Sequence, residues 1–418
     1  MTRSSGVWLA PIAWLLLARL TPGCDDVIGE AIVRSPAGIT GGTGGATGTG
    51  ASAGENGGDP GSGGTTGGTD GGDGASGGTP TSGGAGIGGG SGGTGATTGG
   101  GGGASTGGTG GSNTGGTVGQ PPCPVQIDGF ATVGDGVTGG LNGTVVKVKT
   151  PADFKTWATK SEPVVIQIDT QLTLTEQIRP KSDKTIVGIG KNAELVGGGL
   201  YILDAQNVIV QNLRISKVPA SGDAITVQNS QRVWIDHCDL SSSLSDPKGT
   251  YDDLVAVTHG SDYVTVSWTH FHDHYAVALV GHSNSSDAVT EDTNHLTVTF
   301  HHNWFSDTQT NEPRVRFGKV HVFNNLYQRT SANAVISQMG AQVLAEGNVF
   351  QSVALPITTH YEDPDDGFII ERDNSFSGDS GMNQITQTGT WTPPYGYNAD
   401  DASNVEFLVS ACSGVGKI

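Results

Sequence analysis

The chain has 418 residues, a formal net charge of −19 and 69 glycines, and its 34% hydrophobic content is spread unevenly along its length. So acidic a chain repels a phosphate backbone, which argues against a nucleic-acid partner and leaves room for an acidic substrate bridged by a cation. Its four cysteines show neither a CxxC pair nor a Cys/His spacing that would suggest zinc.

Residues 1–24 read as a secretory signal. Arg3 precedes an apolar run from Val7 to Leu20 that is too short, and too interrupted by Pro11 and Arg19, to span a bilayer. The segment then closes on TPGC, and small residues before a cysteine resemble a bacterial lipoprotein cleavage site. On that reading Cys24 carries a lipid and the chain is displayed at the cell surface. Simple secretion is the alternative. Membrane contact is expected only through that lipid.

Residues 25–120 read as a linker, because from about Ser35 onward they are almost entirely Gly, Thr, Ser and Ala. Such a stretch buries too little apolar area to offset the entropy of ordering, and it lacks the triplet period of collagen. A Gly-rich coil of this length has a root-mean-square span of roughly 50 Å.

Residues 121–418 form the one folding domain, expected to be monomeric. PADFKTWATK, near residues 151–160, reads as a helix that caps an open end. Beyond it, short β-branched runs repeat: IVQNLRI, VWIDHCDL, VTVSWTHF, VTFHHNWF, VHVFNNLY and VLAEGNVF start near 209, 233, 264, 298, 320 and 343. A repeat of about 22 residues with one dominant strand predicts an all-β solenoid, a parallel β-helix. Asn303, Asn325 and Asn348 take the same place in three rungs, where they are expected to stack and to adopt the left-handed geometry of a tight turn. The two longer spacings, after 233 and after 264, predict loops leaving the coil on one side, where a groove would form. Export would permit a disulfide between Cys123 and Cys412, which open and nearly close the domain, and Cys238 reads as a buried thiol.

WIDH at 234–237, SDYVTVSWTHFHDH at 261–274, LVGHS at 279–283, HHN at 301–303, PRVRFG at 313–318 and the paired Asn324 and Asn325 occur together and in order. This set resembles the pectate lyase family of polysaccharide lyases, from Gly129 through at least Asn348. The resemblance implies a right-handed, single-stranded parallel β-helix. It also implies calcium-assisted β-elimination in pectate or a related polyuronate, an acidic plant-type polysaccharide. In that reaction a base removes the C5 proton, α to a uronate carboxylate, and the C4 oxygen leaves.

Carried over residue by residue, the resemblance makes Asp223 and Asp252 calcium ligands. Arg316 becomes the arginine that grips a substrate carboxylate, with Arg314 beside it as a catalytic-site residue or as the partner of an internal acid. The family's base position holds Asn311, its lysine position Ala276 and its third acidic ligand position Ala256. Asp253 is a candidate substitute ligand, but on a strand it would point away from Asp252. His270, His272 and His274 alternate as if facing one way, in the manner of a metal site, although the family uses this run structurally. Asp236, His237, His301 and His302 read as structural hydrogen-bonding groups. Two further readings stand beside the lyase: a polysaccharide-binding homologue with impaired catalysis, favoured by the three substitutions, and a β-helix hydrolase, disfavoured by the lack of an evident pair of catalytic aspartates.

Overall fold

The computed structural model describes residues 123–418; the expected signal over residues 1–24, the linker over 25–120 and the lipid at Cys24 lie outside the described residues. The domain is a single-stranded parallel β-helix with three sheets, of ten, nine and seven strands. Every ladder between named strands is parallel, and the handedness is the right-handed one that parallel crossovers adopt.

Register follows the β-branched repeat. Val208, Val233, Val264, Val298, Val320 and Val343 sit one above another in the ten-stranded sheet. Aligning the first run on Ile209 is one residue out, because Ile209 pairs with Trp234 on the outer face. The inward valines are almost fully buried. Each contributes roughly 2 kcal/mol of burial. In the nine-stranded sheet Phe271, Phe305, Tyr327, Phe350 and Phe376 form a continuous inner stack with centroids 4.6 to 5.1 Å apart.

The asparagine ladder is present and longer than expected. Asn303 donates to Asn325 at 3.0 Å, Asn325 to Asn348 at 3.0 Å, and Asn348 to Asn374 at 2.9 Å. Their own backbone is not left-handed. That role falls one residue earlier, on His302, Asn324 and Gly347 (φ 53°, 52° and 61°), so the ladder residues themselves face inward from the turn. Asn325 also donates to the Phe300 carbonyl at 2.9 Å and accepts from the Asn303 amide at 2.9 Å. Asn325→Ala is therefore expected to lower unfolding free energy by about 2 kcal/mol or more, read by chemical denaturation, since it orphans buried polar groups on two rungs. A loss below about 0.5 kcal/mol would deny the ladder a stabilising role.

The predicted cap helix spans Pro151–Ala158. Thr150 accepts from the Asp153 amide at 3.1 Å, Pro151 occupies its first turn, and Phe154 and Ala158 are buried against the first rungs. A second helix, Ser286–Asp292, is an insertion between strands Ala278–Val280 and Thr297–His301. The third, Ala402–Cys412, lays Val405 and Val409 on Leu326 and Val349. Cys123 is bonded to Cys412, and Cys238 is a free, buried thiol. Among the described residues no helix is long and apolar enough to cross a membrane.

The seven-stranded sheet positions the site. Its strands Ile225–Gln228, Val255–Thr258, Ala278–Val280 and Arg314–Arg316 are consecutive neighbours. The residues just ahead of them therefore come together on adjacent rungs.

Candidate functional site

Asp223 precedes the first of these strands, Asp252 and Asp253 the second, Ala276 the third and Asn311 the fourth. The backbone links them in turn, for Ala224 N–H donates to the Asp253 carbonyl, Leu254 to Val277, and Ala278 to Asn311. Asp223, Asp252 and Asp253 each offer a carboxylate oxygen within 4.8 Å of the others. Asp253 is thus on the same side as Asp252, against the alternation expected of a strand. The reason is local: residues 252–254 lie outside the strand, which starts at Val255, so the alternation rule does not reach them.

Asp253 is buried with one oxygen, Oδ1, lacking any hydrogen-bond partner. Burial first, then the charges of Asp223 and Asp252, push its carboxyl well above the usual range, against the opposing charge of Arg316 and a hydrogen bond with Asn311. Asp223 is pushed up to about 6, chiefly by burial and secondarily by Asp252, against a hydrogen bond from Thr226 Oγ1 at 2.7 Å. Three carboxyls crowded in this way favour protonation or a cation. Ala256 lies on the outer face of its strand, paired with Thr226 and Leu279, beside the hydroxyl that serves Asp223.

Arg316 is buried and already engaged. Its Nε donates to Asp363 Oδ2 at 2.7 Å and its Nη1 to the Gly281 carbonyl at 2.8 Å. Arg314 donates to Gln338 Oε1, Glu362 Oε2 and Asp363 Oδ2, each at 3.0 Å. Burial works to raise the Asp363 carboxyl, but the Arg316 hydrogen bond and the two guanidinium charges hold it below the usual carboxylate range. Glu362 and Asp363, on the loop after strand Leu355–Thr358, were absent from the sequence expectation because they lie 46 or more residues from the arginines and in no recognisable motif. Asn311 is buried with φ 61°.

The histidine run does not face one way. His270 and His272 stack, with ring centroids 4.5 Å apart, but Asp273 is left-handed (φ 51°) and turns His274 aside. His274 Nδ1 meets Ser242 Oγ at 2.5 Å and its Nε2 meets the Asp252 carbonyl at 2.6 Å, so this histidine fixes the acidic loop. The structural reading of the other pairs agrees with their contacts: His237 with Asp236 at 2.7 Å, His301 with His302 at 2.9 Å, and His302 with Asp400 at 2.9 Å.

The sequence model of the family described as pectate lyase matches residues 93–418. Pectate lyase A of Aspergillus niger is 40% identical over 289 residues, 68% of this chain and 86% of the relative. The pectate trisaccharide-lyase of Bacillus licheniformis is 35% identical over 312 residues, 72% of this chain and 89% of the relative. Among solved structures, pectate lyase Bsp165PelA of Bacillus sp. N165, in complex with trigalacturonate, superposes with a TM-score of 0.64 at 29% identity, covering 70% of this chain and 99% of that one. Matches of this extent make the chain a member of the pectate lyase family of polysaccharide lyases.

Proposed function

We propose that the domain binds pectate or a related polyuronate and cleaves it slowly by calcium-assisted β-elimination, with Asp253 taking over the ligand role that position 256 has lost. The observation that supports this most is the unpartnered Asp253 oxygen in a cluster of three carboxylates beside Arg316. Calcium takes six to eight oxygens, several from carboxylates, and Asp223, Asp252 and Asp253 would hold it. A bound calcium ion supplies the positive charge that makes the C5 proton of a coordinated uronate more acidic.

The chain's own residues do the rest. Arg316 grips a uronate carboxylate in the place Asp363 now occupies, so substrate must exchange with that internal acid. Asn311 orients Asp253 but has no group basic enough to take a carbon-bound proton. Proton removal then falls to solvent hydroxide, and Ala276 adds no charge to help it.

The test is absorbance of the unsaturated product at about 235 nm from polygalacturonate, with and without calcium, across neutral to alkaline pH. The expected result is a slow, calcium-dependent rate that climbs about tenfold per pH unit without a plateau. Absence of product with calcium-dependent retention on polygalacturonate would favour the second reading, a binding protein. Two observations support that alternative: asparagine and alanine at positions 311 and 276, and the Asp363 carboxylate seated on Arg316.

A further inference from the structure

We propose that His259, His282 and Glu291 form a second metal site, for a transition-metal dication of the zinc type, with Asp292 as the carboxylate that orients His282. The three residues each offer a ligand atom within 4.8 Å of the others. They come from three separate elements: the end of strand Val255–Thr258, the turn after strand Ala278–Val280, and the inserted helix Ser286–Asp292.

The hydrogen bonding leaves the right atoms free. His259 Nδ1 meets Thr258 Oγ1 at 3.0 Å, and its Nε2 stands 3.8 Å from Glu291 Oε2. His282 Nδ1 faces Asp292 Oδ2 at 3.5 Å. Asp292 is fully buried, and its other oxygen accepts from Gly260 N–H at 2.8 Å. Oδ2 of Asp292 and Nδ1 of His282 are both buried without a hydrogen-bond partner. A buried carboxylate aimed at the far nitrogen of an imidazole is how metal-ligating histidines are held and made more basic, and a small movement of His282 completes that contact.

The donor set selects the metal. Two imidazole nitrogens and one carboxylate suit zinc and its neighbours and not calcium, which takes oxygen ligands. The two rings now lie parallel, 4.0 Å between centroids and 4° between planes. Ligand bonds of about 2.0 to 2.2 Å require them to rotate out of that stack so that both Nε2 atoms point at one centre. The other histidine cluster, Asp239, His270 and His272, fits less well, because Arg214 Nε donates to Asp239 at 3.2 Å and competes for its charge.

The site would pin the inserted helix to the strand end at Gly281, whose carbonyl holds Arg316. Calorimetric titration of the full chain with zinc in excess calcium is expected to show one tight equivalent, and cobalt at the same site a tetrahedral visible absorption. His282→Ala and Glu291→Gln should each weaken zinc binding at least tenfold, and Asp292→Asn by about 10- to 100-fold. Glu291 is exposed, so its substitution preserves the fold and gives a reading even if His282→Ala does not. Absence of zinc binding would overturn the proposal, as would binding that persists in Glu291→Gln or that disappears with His270→Ala instead.

Discussion

In calcium-free solution Asp223→Asn is expected to match the unaltered domain in stability near pH 4 and to exceed it by about 3 kcal/mol near pH 7. The folded-state carboxyl of Asp223 is raised to about 6 from an ordinary 3.8. Between those values the folded chain keeps a proton that the unfolded chain has released. The contribution of this group is therefore fully present below the unfolded value and is lost as pH rises through about 6. Asp253 adds to the effect in the same direction.

The comparison has to be between variants, because histidines oppose it. His270 and His274 are lowered to about 4, mainly by burial, so they contribute stability that grows as pH rises through the range up to their ordinary value. Calcium should reverse the order at pH 7. At a thousandfold excess over its dissociation constant it stabilises the unaltered domain by about 4.1 kcal/mol and the variant much less. Paired denaturation curves at the two pH values, with chelator and with calcium, check this. A stability difference independent of pH and calcium would show that the three carboxylates do not act together.

Asn311→Arg alone is expected to return little lyase activity, whereas Asn311→Arg combined with Ala256→Asp, Ala276→Lys and Asp253→Gly should raise the rate on polygalacturonate by about a hundredfold or more. A guanidinium at 311 would meet the buried Asp253 carboxyl that Asn311 now contacts. The resulting ion pair would hold the guanidinium charged, when its task is to accept a proton. Moving the third carboxylate from 253 to 256, next to Thr226, leaves the arginine free while keeping three acids around the cation site. Steady-state rates for the single variant, for the triple variant that keeps Asp253 and for the quadruple variant decide the matter. Equal activity of the triple and quadruple forms would remove Asp253 from the argument, and strong cleavage by the unaltered domain would mean that another group serves as base.

The coil was legible because its physics is periodic: a valine at the same place in six successive rungs and an asparagine at the same corner of three place those strands without knowledge of the loops. The site was legible only where it rides on that period. Asp223, Asp252, Ala276 and Asn311 lie just ahead of consecutive strands and Arg316 ends the last of them, so residues named through the family resemblance fall on adjacent rungs. Asp253 was not legible, because the test of which way it points depended on whether the strand had already begun. Asp363 and Glu362 belong to a loop after a later rung and met the arginines through tertiary folding alone. The facing of the histidine run failed at one residue, Asp273, whose left-handed backbone carries no mark in the sequence.

The chain enters the domain at Cys123 away from the first rung, since Phe130 and Ala131 are held by Thr299 and Thr265 in the middle of the ten-stranded sheet. Anything that pulls on the N-terminal segment therefore applies its force at Cys123, and the disulfide passes it to Cys412 on the docked C-terminal helix. The pull is shared by two distant parts of one coil and does not peel the strand Thr144–Val148 from its edge. Reduction removes that shortcut, and the same pull would then unspool the coil from its first turn, one rung at a time. Single-molecule stretching with and without reductant reads the difference as one high rupture replaced by a series of small ones.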